Sequence, residues 1–267
     1  MEISTILAAL GLTLVAGLST GIGSLLAFFA KAGNTRFLSG ALGLSAGVMV
    51  YVSFMDLLPG SIDALGQSVG GKLPQVYALL AFFVGIGLIA LIDFLIPEDE
   101  NPHEMHSYDE LNDRSPHNHH VKRAGVMVAL AIGIHNFPEG MATFVSALDG
   151  VEVALPIVVA IAIHNIPEGM AVSVPIYYAT GSKTKALRYS FLTGLAEPLG
   201  AAVGALVLMP FWNPVIGALL LAFVAGIMVY ISFDELLPGA EQYGHHHLSI
   251  IGVIAGMAIM AGGLLMF

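Results

Sequence analysis

Residues 134–142 read IHNFPEGMA and residues 163–171 read IHNIPEGMA. On a helix, residues four apart share a face, so His135 and Glu139 point together, and so do His164 and Glu168. Each nonapeptide sits near the middle of a tract that is otherwise apolar and free of lysine and arginine. Each tract supplies the roughly 20 residues that a membrane span needs. Carboxylates at the centre of such spans face the interior of a helix bundle, because lipid offers them no partner. The motifs fall on consecutive, and therefore antiparallel, helices.

A second repeat flanks this centre. Residues 46–60 read AGVMVYVSFMDLLPG and residues 225–239 read AGIMVYISFDELLPG, identical at eleven of fifteen positions. The whole chain matches a lipid-solvated protein, with 57% hydrophobic and 10% charged residues in 267 and a mean hydropathy of +0.84. Charges, prolines and glycines divide it into helices near 5–30, 37–58, 76–96, 124–147, 152–178, 186–208, 215–237 and 247–267. The uncharged stretch between Glu197 and Asp234 is too long for one helix, so Pro210, Asn213 and Pro214 are expected to form its turn. The chain therefore reads as an all-α integral membrane protein of about eight transmembrane helices. On this plan the second helix runs outward and the seventh inward, which makes the long repeat inverted. Helices 1–3 match 6–8 and helix 4 matches helix 5, the pattern of alternating-access transporters.

Lysine and arginine set the expected orientation. Lys31, Arg36, Arg114, Lys122, Arg123, Lys183, Lys185 and Arg188 fall in the first-to-second, third-to-fourth and fifth-to-sixth connections, whereas the alternate connections hold only Lys72. Those richer connections are expected to be cytoplasmic, with both termini outside. The first apolar tract has no basic segment before it and reads as a permanent span. The expected domain organisation is a single transporter domain over 1–267. It is interrupted by a mobile His-rich cytoplasmic loop at about 97–123 that lacks apolar periodicity.

The chemistry of the centre follows from charge. Glu197, in GLAEPLG of the sixth helix, adds a third acid to Glu139 and Glu168. A charge at the bilayer midplane costs about 2.5–3.5 kcal/mol on the insertion scale. No lysine or arginine lies in these segments, so protonation or a bound metal is left to offset three carboxylates. Two divalent ions would turn their charge slightly positive, and one would leave it slightly negative. Imidazole nitrogen with carboxylate oxygen suits zinc, iron(II), cobalt, nickel and manganese, and Asn136 and Asn165 add neutral oxygens. The absence of cysteine removes thiolate sites and disulfides. Pro138 and Pro167 each remove a backbone donor and are expected to kink their helices and free the carbonyls of Ile134 and Ile163. Gly140 and Gly169 would allow neighbouring helices to approach closely.

HNFPEG, HNIPEG and GLAEPLG resemble the fourth, fifth and sixth helices of the ZIP (Zrt/Irt-like) metal transporters, closest to the bacterial ZupT- and GufA-like branch. The resemblance covers nearly the whole chain, including eight helices, outside termini and a cytoplasmic third-to-fourth loop. It implies one metal position at His135, Glu139, His164 and Glu168. It implies a second at Asn136, Glu139, Asn165, Glu168 and Glu197, with Glu139 and Glu168 shared. Some members of the family carry Gln-Asp where this chain has His164 and Asn165, which alters the charge of the second position.

Asp56 near the end of the second helix, and Asp234 with Glu235 near the end of the seventh, are expected to mark opposite mouths of a path. Met49, Met228, Ser53 and Ser232 are read as packing residues. His103, His106, His117, His119 and His120, with His245, His246 and His247, form clusters suited to weak metal buffering.

The function expected is gradient-driven carriage of zinc, with iron(II), cadmium, cobalt and manganese as further substrates, toward the cytoplasm. The cell (inner) membrane is the expected location. Metal is the substrate, one or two ions per site, with no catalytic cofactor. The lipid bilayer is a partner, nucleic acid is not, and a homodimer is left open. The alternative is an intramembrane metal-dependent hydrolase. It is disfavoured because there is no HExxH motif, no base separate from the ligands, and no role for an inverted repeat. The chain is not expected to be an enzyme.

Overall fold

The computed structural model describes residues 3–29, 35–95, 119–148, 150–208, 211 and 213–265, and among these there is no strand. Eight helical rods follow one another: α1 (Ile3–Phe29), α2 (Thr35–Ser68), α3 (Leu73–Leu95), α4 (His119–Leu148), α5 (Val151–Thr180), α6 (Lys183–Gly194 and, past Leu195, Ala196–Leu208), α7 (Pro214–Glu241) and α8 (His246–Leu264). Seven helices among the described residues are long and apolar enough to cross a membrane. The remaining rod, α4, carries His135, Asn136 and Glu139 at its middle and packs against α1, α5, α6 and α7. Burial sorts the rods. In the central window of α5, 72% is enclosed, against 22% for α3 and for α8, whose outer faces carry Phe83, Val84, Ile251 and Ile254. Apolar side chains on the outside and polar ones on the inside are what lipid solvation selects.

The connections follow local chemistry. Asn213 Oδ1 accepts the Ile216 amide at 3.0 Å, and Pro214 occupies the first turn of α7, where its missing N–H costs nothing. That bears out the turn expected before α7 at Asn213 and Pro214, while Pro210 lies outside the described residues. Gly181, at φ 64°, closes α5 by donating its N–H to Tyr177 O at 2.7 Å. Ser182 then caps α6 by accepting the Lys185 amide. Most of the expected loop, 97–118, also lies outside the described residues. His119 to Arg123, read as loop from sequence, instead begin α4.

The inverted repeat is expressed in packing. α2 lies along α8 as α7 lies along α3, and α1 lies along α5 as α6 lies along α4. The contacts correspond residue by residue. A methyl group on Gly47 would strike the Val253 carbonyl of α8, and one on its repeat partner Gly226 would strike the Phe82 carbonyl of α3. Likewise Gly85 abuts the Phe223 carbonyl, and Gly256 the Leu44 carbonyl. Backbones this close maximise dispersion contact, which drives helix association where lipid removes the hydrophobic incentive.

The repeat also holds a shared distortion that the sequence reading missed. Ser53–Leu57 and Ser232–Leu236 are each a π turn, in which Leu58 N–H bonds Ser53 O and Leu237 N–H bonds Ser232 O. Leu-Pro-Gly at 58–60 and 237–239 reads as a helix stop, yet α2 continues to Ser68 and α7 to Glu241. The cause is local. Pro59 and Pro238 would crowd the carbonyl four residues back, and the wider turn just before each proline relieves that clash. Ser53 and Ser232 each donate to the carbonyl four residues earlier, on Met49 and Met228, at 2.7 Å. Asp56, Asp234 and Glu235 therefore sit within continuous helices, on π turns, and not at helix ends.

Gly47→Ala and Gly226→Ala are each expected to destabilise the protein by about 1–3 kcal/mol through overpacking. Gly66→Ala and Gly262→Ala meet open space and should be neutral. Thermal unfolding in detergent measures both, and equal behaviour of the two pairs would contradict the packing described.

Candidate metal centre

α4 and α5 each run as α-helix through their motif prolines, Pro138 and Pro167. The missing amides leave Ile134 and Ile163 carbonyls without their usual donors, as the sequence suggests. His135, Asn136, Glu139, His164, Asn165, Glu168 and Glu197 are all at most 1% exposed. All seven sequence-predicted central residues are thus inside the bundle.

Their pairing runs across the helices. His135 Nε2 donates to Glu168 Oε1 at 3.2 Å. His164 Nε2 reciprocally lies 3.3 Å from Glu139 Oε1 and donates to Oε2 at 3.4 Å. The i, i+4 argument brings His135 and Glu139 to one face. The antiparallel partner then sets each histidine opposite the other helix's carboxylate. Among the described residues no three histidine, aspartate or glutamate side chains gather around one point as ligands of an ion would.

The asparagines are aimed by backbone. Asn136 Nδ2 donates to Thr193 O of α6 at 3.3 Å, and Asn165 Nδ2 donates to Ala16 O of α1 at 3.0 Å. Asn165 Nδ2 also donates to Glu197. With their amide nitrogens held outward, both Oδ1 atoms are left as acceptors. Ser45 of α2 donates to His164 O at 3.2 Å and steadies that turn of α5. Sequence reasoning missed Ala16, Thr193 and Ser45. Two of these act through main-chain oxygen, which no residue type announces.

Seven buried atoms of the cluster have no hydrogen-bond partner: His135 Nδ1, His164 Nδ1, Asn136 Oδ1, Asn165 Oδ1, Glu139 Oε1, Glu168 Oε2 and Glu197 Oε2. With Nε2 donating, the Nδ1 atoms are acceptors too. Each such atom costs about 1–3 kcal/mol when buried unpaired. A group of buried, unpartnered imidazole, amide and carboxylate atoms offers the lone pairs that a cation takes. The ligand types are imidazole nitrogen, amide oxygen and carboxylate oxygen, a borderline set.

The residues assigned to mouths lie on the π turns. Asp56, Asp234 and Glu235 are half-buried on the π turns of α2 and α7, and Glu235 is close enough to His135 to interact with it electrostatically. His245 Nε2 lies 3.0 Å from Thr35 Oγ1, and His246 Nδ1 lies 2.9 Å from Glu241 Oε1, so this cluster ties the start of α8 to its neighbours. His103, His106 and His117 lie outside the described residues. A cavity of about 700 Å³ between α3, α4, α6 and α7 is lined by Leu88, Ile92, Leu130, Phe137 and Leu199 and offers no carboxylate or imidazole.

The comparisons with known proteins agree in one direction. Residues 95–263 match the family model described as ZIP Zinc transporter. The chain is 59% identical to the zinc transporter ZupT of Streptococcus mutans over 96% of each chain. It is 56% identical to that of Nitratidesulfovibrio vulgaris over 98% of each. The zinc transporter ZupT of Clostridium perfringens is 52% identical over 100% of this chain and 98% of its own.

The cross-helix pairing has a measurable consequence. In metal-free protein, a double-mutant cycle between His135→Ala and Glu168→Ala should give a coupling of about 0.5–3 kcal/mol, larger than the same cycle between His135→Ala and Glu139→Ala. The reverse order in unfolding stability would contradict the pairing.

Proposed function

The chain belongs to the ZIP zinc transporter family, and from that premise we propose that it carries zinc across the inner cell membrane toward the cytoplasm by gradient-driven alternating access. The observation that carries this reading is the group of seven unpartnered polar atoms at the meeting of α4, α5 and α6. His135, Glu139, His164 and Glu168 form one ion position in this proposal. Asn136, Asn165 and Glu197, with the two shared glutamates, form a second. An arriving ion breaks the two His–Glu hydrogen bonds and is held through imidazole lone pairs and carboxylate oxygens, and a ring nitrogen that had donated to a carboxylate releases its proton to solvent before it binds. Capture and release then exchange a partly paired cluster for a metal-bound one.

The inverted packing supports the alternating part. Matched close contacts along α2–α8 and α7–α3 give the two halves equivalent seams, one for each direction of opening. In this proposal Asp56 feeds ions from outside, and Asp234 with Glu235 receives them on the cytoplasmic side. Both termini lie outside, and 1–267 forms one transporter domain whose His-rich segment at about 97–123 faces the cytoplasm and buffers metal. Zinc is the substrate and not a catalytic cofactor, and no chemical step follows its binding.

Purified protein in liposomes loaded with a zinc-sensitive dye tests the reading. Uptake should saturate with zinc concentration. Glu139→Ala and Glu168→Ala should each lower it by more than about 100-fold, beyond the cost of losing a supporting group around a metal. Wild-type flux from either inserted variant would refute the site. Deleting 103–117 should leave uptake at saturating zinc within about twofold, because polar loop segments tolerate excision. Cadmium, iron(II), cobalt and manganese should compete, whereas equimolar magnesium or calcium should not, since they prefer all-oxygen shells. Strong inhibition by magnesium would overturn the ligand argument. His135→Asp with His164→Asp should move the preference toward manganese.

A further inference from the structure

α1 and α6 meet through glycine in a reciprocal way. A methyl on Gly17 would strike the Gly194 carbonyl, and a methyl on Gly194 would strike the Gly17 carbonyl. This fixes the register in which the two halves superpose, and the register holds at three more places. Gly23 lies on the Ile166 carbonyl as Gly200 lies on the Phe137 carbonyl. Asn165 donates to Ala16 O as Asn136 donates to Thr193 O. Gly169 lies on the Thr20 carbonyl as Gly140 lies on the Glu197 carbonyl. In that register GLSTGIG at 17–23 overlies GLAEPLG at 194–200, and Thr20 overlies Glu197.

Thr20 is 0% exposed, and its Oγ1 has no hydrogen-bond partner. Its carbonyl is held by Ser190 Oγ at 2.8 Å, which fixes the backbone but does not use the side-chain hydroxyl. Across the pseudo-twofold relation, Glu197 accepts from Asn165 Nδ2, whereas the matching Asn136 Nδ2 donates to Thr193 O and Thr20 Oγ1 is left without a partner. The same position is thus a carboxylate in one half and a buried, unused hydroxyl in the other.

We infer that Thr20 faces the second ion position opposite Glu197 and supplies its hydroxyl there, holding a water on the ion. This rests on the reading of the centre given above. The chemistry follows from length. A threonine hydroxyl ends two bonds short of where a glutamate oxygen would end, so it stops short of a shared ion and reaches it through one water. It also brings no charge. Two divalent ions against Glu139, Glu168 and Glu197 leave positive charge uncompensated, which favours release. A fourth carboxylate at Thr20 would cancel that charge and hold the pair. Thr20 is therefore a specificity and residence determinant that keeps the second position weak and one-sided.

The experiment exchanges the two residues. Zinc titrations on purified protein, with liposome flux alongside, would compare wild type, Thr20→Val, Glu197→Thr and the swap Thr20→Glu with Glu197→Thr. Wild type should bind a tighter and a weaker zinc. Glu197→Thr should lose the weaker one, and the swap should restore it. Thr20→Val, which keeps shape and removes the hydroxyl, should weaken the second zinc by about 10-fold and leave the first unchanged. A monodisperse swap that binds only the first zinc overturns the inference, and so does Thr20→Val with wild-type affinity for the second. Should the swap not fold, Thr20→Val decides alone. A Glu197→Thr protein that keeps both zinc ions, or a wild type that binds only one, overturns the reading of the second position on which the inference stands.

Discussion

Glu139, Glu168 and Glu197 are carried into the middle of a helix bundle whose central segments contain no lysine or arginine. Each would cost about 2.5–3.5 kcal/mol as an isolated charge at that depth. The structure answers with imidazole and amide. His135 meets Glu168, His164 meets Glu139, and Asn165 meets Glu197. Because each histidine uses the carboxylate of the other helix, α4 and α5 cannot separate without stranding both pairs. The surrounding rods serve that contact. α1 and α6 supply the carbonyls that orient the asparagines, and α2 braces the turn at His164.

The contact is only partly satisfied, and function lives in the remainder. A cluster whose every polar atom were paired would be a structural core with nothing to offer an ion. Here imidazole, amide and carboxylate atoms of the cluster are left without partners. The two-fold arrangement means that the central side chains arrive as matched pairs from opposite directions. Direction then rests on where the halves differ. Glu197 against Thr20 is such a difference at the centre. On the π turns, Asp56 corresponds to Glu235, while Met55 corresponds to Asp234, so one half carries an additional acid.

Much of this was legible in the residues. Apolar tracts and turn residues placed the rods, and repeated words such as IHNxPEGMA exposed both the inversion and the seven central residues. Three things were not. The identity of each histidine's partner depends on the stagger between α4 and α5, which spacing within one helix does not contain. Leu-Pro-Gly looks like a stop because a π turn has no composition of its own, and only the relieved clash at Pro59 and Pro238 reveals it. Thr20 escaped because GLSTGIG and GLAEPLG share only Gly, Leu and Gly in register. The packing of glycine on carbonyl is what aligns them.

The central claim is that the side chains now paired across α4 and α5 are the ones that bind the transported ion. X-ray absorption at the zinc edge, on purified protein loaded with one equivalent of zinc, tests it most directly. The expected spectrum shows imidazole scattering with nitrogen and oxygen at about 2.0–2.2 Å, and His135→Ala together with His164→Ala should abolish the imidazole signature. A first shell made only of oxygen, or an imidazole signature that survives the double substitution, would place the ion elsewhere and contradict the account.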